Sequence, residues 1–125
     1  MIGWHISIYR QQDGGSSPAK FETPEGARLA VWQTSWGGLE WLDELVKQGK
    51  AIDLGGGGYP LRYTAQARYL TGRVLAGPPQ ANEVWVLGPQ DVVTDKWAGR
   101  TVIDGDVAEA CTPDEWLIVE AWDES

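Results

Sequence analysis

Several residue types are almost missing from this chain, and each scarcity removes a class of function. Cysteine occurs once, at Cys111, so neither an intramolecular disulfide nor a cysteine-based zinc site can form. A lone thiol in such a chain reads as a small buried hydrophobe rather than a nucleophile. Histidine also occurs once. A Ser-His-Asp triad would have to use His5, and the sequence holds no GxSxG elbow to present its serine. A metal site with two histidine ligands is excluded. Apolar runs are short: nothing approaches the ~18 residues a membrane-spanning helix needs. The start, MIGWHISIYR, lacks the basic region and unbroken apolar stretch of a secretory signal. The expectation is a cytoplasmic protein with no membrane contact and no cofactor.

Basic residues are scarce as well, with 10 Lys and Arg against 18 Asp and Glu, for a net charge of −8. The imbalance is local. Residues 1–76 carry 8 basic and 7 acidic side chains, whereas residues 77–125 carry 2 and 11. Phosphate contacts need lysine and arginine, so nucleic acid is not expected on the acidic half. A basic protein partner, steered in by the field, is compatible with it. The same acidity also serves solubility.

What is abundant is tryptophan, with eight in 125 residues, and glycine, with sixteen. Size and composition fit one domain, residues 1–125, able to bury a core without staples. GWHISIY (3–9) alternates, with Trp4, Ile6 and Ile8 on one side and His5, Ser7 and Tyr9 on the other, and predicts a strand. RLAVWQ (28–33) predicts a second strand. GGLEWLDELVKQG (37–49) places Leu39, Trp41, Leu42, Leu45 and Val46 on one side of a helix that Gly49 stops. AIDL (51–54) is a short strand. The spacing of Tyr63, Ala67, Leu70 and Val74 predicts a helix over 63–75. EVWVLG (83–88) and RTVID (100–104) are strands, and GDVAEAC (105–111) is a brief helix. EWLIVEAWD (115–123) is apolar on both faces except at Glu120, as expected of a central strand. The fold class is therefore α+β: one domain with a mixed, mostly antiparallel sheet of about five strands and two to three helices. Crossovers around the first two helices would make part of the sheet parallel.

DLGGGGYPLRYTA (53–65) is the one stretch that invites a chemical reading. Strand, glycines and helix in that order suggest an anion cradle. The details do not match: there is no GxxxxGK[ST], GxGxxG fails at Pro60, and Tyr59 to Arg62 separate the glycines from the predicted helix. A flexible turn or lid, or a partner-contact loop with Tyr59 at its tip, fits better. Were this an enzyme, Asp53 as acid/base, Arg62 as anion holder and His5 would be its residues.

Trp36 (TSWGG) and Trp97 (DKWAG) sit among turn residues, off any buried stripe, where tryptophan can anchor a partner. Asp104, Asp106, Asp114 and Glu115 lie in acidic loops. DGD at 104–106 lacks the remainder of a calcium-loop frame, so no metal site is expected. Together these point to a binding module: an inhibitor or immunity-type protein that engages a basic protein through Trp36, Tyr59, Trp97 and those four carboxylates. An enzyme acting on a small anion at the Asp53–Arg62 loop is the second reading. A homodimer or larger homo-oligomer burying leftover aromatic surface is the third.

Overall fold

A computed structural model describes residues 3–55, 60–76, 84–86, 92–94 and 98–123. In chain order these form β1 (Gly3–Gln11), β2 (Glu25–Ser35), a 3-10 turn (Trp36–Leu39), α1 (Glu40–Lys47), β3 (Ala51–Gly55) and β4 (Leu61–Gln66). There follow α2 (Ala67–Ala76), β5 (Val84–Val86), β6 (Val92–Thr94), β7 (Ala98–Ile103), α3 (Gly105–Ala110) and β8 (Trp116–Asp123). Six strands make one sheet in the order β3-β4-β8-β1-β2-β7, and β5 and β6 pair separately. Every strand pair among the described residues is antiparallel, so the expected parallel portion does not occur. The sheet has one strand more than expected, within a single α+β domain of three helices.

Alternation along the strands sorts side chains cleanly onto two faces. Trp4, Ile6 and Ile8 of β1 share a face with Ala30 and Trp32 of β2, Tyr63 and Ala65 of β4, and Leu117, Val119 and Ala121 of β8. All of these are buried, and all three helices pack on them: Leu42 from α1, Leu70 and Val74 from α2 and Ala108 from α3 join the same apolar cluster. Each such aliphatic side chain contributes about 1.5–3 kcal/mol when fully buried. Trp32 and Trp41 lie with ring centroids 6.3 Å apart. Their indole N–H groups are buried with no hydrogen-bond partner among the described residues, so the two side chains contribute by packing alone.

Gly49 does end α1, in the left-handed region at φ 75°. The Lys50 amide donates to the Leu45 carbonyl at 2.8 Å and the Gly49 amide to Val46 at 3.0 Å, the paired bonds of a Schellman ending. The helix expected over 63–75 starts only at Ala67. Residues 61–66 form β4 instead, between β3 and β8, because pairing on both edges overrides the helical spacing. Tyr63 still reaches the core, from a strand rather than a helix.

That shift settles the context of the glycine run. β3 and β4 are antiparallel neighbours with Gly55 opposite Arg62, and the rest of the glycine run with Tyr59, residues 56–59, lies outside the described residues. No helix begins after them to point its amides at an anion, and the strand-to-helix cradle is removed on that ground. Gly55 itself takes φ 70° and its amide donates to the Asp53 carboxylate at 2.8 Å, a local turn.

Candidate functional site

The second face of the sheet carries no helix among the described residues. By register it displays His5 and Ser7 of β1, Val31 and Gln33 of β2, and Val102 of β7. It also displays Ile118, Glu120 and Trp122 of β8, Arg62 and Thr64 of β4, and Ile52 of β3. Half of this face is covered by the connection between β1 and β2, residues 12–24, which folds back over β4 and β8. The Ala19 amide donates to Thr64 Oγ1 at 3.1 Å, and Thr64 Oγ1 donates onward to the Leu117 carbonyl at 2.8 Å. The Trp116 amide donates to the Gly15 carbonyl at 2.8 Å. Ile118 is fully buried, yet stands apart from the helix-side cluster.

A buried charge cluster clasps this strap. Arg62 is opposite Glu120 in register, and their side chains are 9% and 11% exposed. Arg62 Nε and Nη2 both donate to Glu120 Oε2, at 3.1 and 2.8 Å. Nη2 also donates to Glu25 Oε1 at 2.6 Å, and Nη1 donates to the Thr23 carbonyl at 3.2 Å and to the Phe21 carbonyl. A guanidinium has five N–H donors, so every one is engaged. The Phe21 ring lies 5.9 Å from the guanidinium carbon. Trp122 Nε1 donates to Glu120 Oε1 at 3.4 Å.

The two carboxyls also act on each other, and their acidities diverge. Glu25 is raised above the ordinary glutamate value by its neighbour Glu120 and by burial, against the pull of Arg62. Burial opposes ionisation of Glu120, but Glu25, Arg62 and Trp122 together prevail and hold it below the ordinary value. Glu120 is thus the resident carboxylate and Glu25 the readier proton carrier. A second buried pair ties β1 to the approach to β8: Arg10 Nε and Nη2 donate to Glu115 Oε2 and Oε1 at 2.7 and 2.9 Å. The bond from Glu115 raises the Arg10 pKa further.

Beyond the strap the face lies open. Trp122 and Val102, toward the β7 edge, are 46 and 44% exposed, and Ile52, on the opposite edge strand β3, is 44% exposed. A depression of about 250 Å³ between β1, β2 and β7 is lined by His5, Arg28, Val31, Gln33 and Val102. A neighbouring hollow shares Arg28 and Val102 and reaches Asp104 and Val107.

The structure does not bring the anticipated Asp53, Arg62 and His5 into one cleft. Asp53 lies on edge strand β3 and caps its own turn. Arg62 is held by Glu25 and Glu120 and has no N–H left for an anionic substrate. His5 is on β1, opposite Trp122. Of the anticipated partner residues, Tyr59 and Trp97 and the side chain of Trp36 lie outside the described residues. Asp104 is exposed and caps α3, its carboxylate accepting from the Val107 amide at 3.2 Å. Asp106 is exposed, and Asp114 is exposed and paired with Arg68. Glu115 is buried against Arg10 rather than presented in a loop.

Glu25, Glu120, Arg28 and Trp122 were not singled out from the sequence. Glu120 did carry a signal, as a carboxylate in an otherwise apolar strand demands a buried cation. Among the described residues no three His, Cys, Asp or Glu side chains stand close enough to hold a metal ion, and no helix is long and apolar enough to cross a membrane. No family model, curated protein or solved structure matches the chain.

Proposed function

We propose that this chain is a small acidic cytoplasmic binding module of the inhibitor or immunity type, which engages a basic protein through the open half of its sheet. The carrying observation is that Trp122 and Val102 stand exposed on the part of the face between the strap and the β7 edge, which no helix covers among the described residues. An exposed tryptophan beside a shallow hollow is the usual form of an interface anchor. Asp104 and Asp106 at the β7–α3 corner supply negative charge at its rim for a basic partner.

The test is capture from the native cell at low and high salt, with wild type beside Trp122→Ser and the double variant Asp104→Lys/Asp106→Lys. One basic protein should be retained by wild type at low salt, lost by Trp122→Ser, and weakened by the charge reversals. Capture insensitive to all three substitutions would remove the reading. Sedimentation at micromolar concentration separates it from self-association of the same face.

A further inference from the structure

Among the arginines, Arg28 stands out once they are traced to their ion-pair partners. Arg10 is paired with Glu115, Arg62 with Glu25 and Glu120, and Arg68 with Asp114. Arg28 is exposed and makes no ion pair among the described residues, in a chain where acids outnumber bases 18 to 10. It lines the depression on the open face together with His5, the Gln33 side chain and the apolar walls Val31 and Val102. Asp104 lines the adjoining hollow and is engaged in capping α3.

We propose that this depression receives an aspartate or glutamate side chain of the protein partner, with Arg28 as its charge partner and Val31 and Val102 against its methylene stem. The inference rests on the sheet face being the contact surface.

Charge complementarity selects the occupant. The lining supplies a guanidinium and an imidazole and, among the described residues, no carboxylate, which suits one planar carboxylate. A phosphate would call for free backbone amides at a helix start or a nest. The depression is instead floored by strands whose amides face one another in antiparallel ladders. A free small molecule is disfavoured too. The hollow falls below the ~300–1,000 Å³ of sites that enclose a ligand, and much of its surroundings is the open face around Trp122, which sits next to His5 in register. A protein surface supplies the missing wall. Such a partner can still be basic overall: its cations meet Asp104 and Asp106 while one carboxylate enters beside Arg28.

The probe is a library of random peptides displayed on phage, selected on the immobilised full chain and then measured against Arg28→Gln, Arg28→Glu and Trp122→Ser. Circular dichroism checks the fold of each variant. Peptides selected on wild type should be enriched in Asp or Glu next to an aliphatic or aromatic residue. They should weaken about tenfold or more on Arg28→Gln, as expected for losing a charge-assisted hydrogen bond, and selection on Arg28→Glu should switch to Lys and Arg. Peptides lost on Trp122→Ser but indifferent to both Arg28 variants would overturn the carboxylate assignment and leave the sheet face standing. Peptides indifferent to Trp122→Ser, or no selectable peptide, would overturn both. Should Arg28→Glu not fold, the Gln variant decides, with the selected peptide compared against its Glu→Gln version by amide shifts at Val31, Gln33 and Val102.

Discussion

Replacing Arg62 with methionine tests whether the charge cluster clasps the strap. The substitution keeps most of the stem and deletes five donated hydrogen bonds: two to Glu120, one to Glu25, and one each to the Phe21 and Thr23 carbonyls. Glu120, 11% exposed, is left as a buried carboxylate without its cation. Removing one partner of a buried pair costs about 3–5 kcal/mol. The Glu25 side chain is 37% exposed, so water recovers part of its share. The expected loss is therefore about 3 kcal/mol at pH 7, a large part of the ~5–15 kcal/mol that domains possess. Urea unfolding followed by tryptophan fluorescence measures it, and a cycle with Glu120→Leu isolates the pair. The double variant should lose less than the two single losses together, because the second substitution removes the orphaned charge the first creates. In hydrogen exchange the Ala19 amide, bonded to Thr64 Oγ1, should lose protection ahead of the β1–β8 ladder. A loss below ~1 kcal/mol with additive singles would refute the clasp.

The two glutamates should respond oppositely to pH. Glu120 is held below the ordinary value of 4.5, so its contribution is present above that value and fades as pH falls through its own lower pKa. Glu120→Gln should flatten stability in that acid window while destabilising the protein at pH 7. Glu25 is raised, so its contribution is complete below 4.5 and fades as pH rises through its higher pKa. Glu25→Gln should therefore be better tolerated than Glu120→Gln in neutral urea titrations. Gly38→Ala would drive a Cβ into the Thr34 side chain, and should cost about 1–3 kcal/mol or more in thermal unfolding, with partial recovery on adding Thr34→Ala. Burial pushes the Tyr63 phenol up to about 12, with Asp43 and Asp53 adding to the shift. In a spectrophotometric titration it should ionise above its ordinary value of 10.0, and the stability it confers should fade across that alkaline range. Trp122→Ser should lower the unfolding midpoint only modestly, less than Arg62→Met, since Trp122 is 46% exposed and gives one bond to Glu120, while abolishing partner capture.

Much of the architecture was legible because single elements carried self-sufficient patterns. The Leu39, Leu42 and Leu45 spacing with Gly49 behind it defined α1, and apolarity on both faces, broken only at Glu120, put β8 near the middle of the sheet. The failures lie where tertiary pairing decides. Tyr63 to Val74 fits a helical stripe, yet residues 61–66 satisfy their backbone in ladders with β3 and β8, a choice invisible to periodicity. The helix expected after the glycine run fell for the same reason, and with it went the strand-to-helix order of an anion cradle that the motif spacing had already failed to match. The Arg62 cluster escaped because its members lie 37 and 58 positions away from Arg62. Only the anomaly of Glu120 hinted at it.

That anomaly also explains why the open face is divided into two halves. An antiparallel sheet with helices on one side ordinarily turns a polar face to water. Here the second face holds Val31, Val102, Ile118 and Trp122, too apolar for that arrangement. Over β4 and β8 the chain covers it with its own strap, and the buried charges of Arg62, Glu25 and Glu120 fix where that strap lies, because a guanidinium with five directed donors accepts only one arrangement of carbonyls and carboxylates around it. Glu120 accepts from Arg62 on one oxygen and from Trp122 on the other, so the clasp ends at the residue where the uncovered half begins. The tryptophan is thereby oriented before any partner arrives. A side chain held in place loses little entropy on contact, which favours its use as an anchor. Glu120→Gln should therefore weaken partner capture as well as stability, even though Glu120 itself is buried. Loss of stability with capture intact would show that the clasp and the contact face act independently.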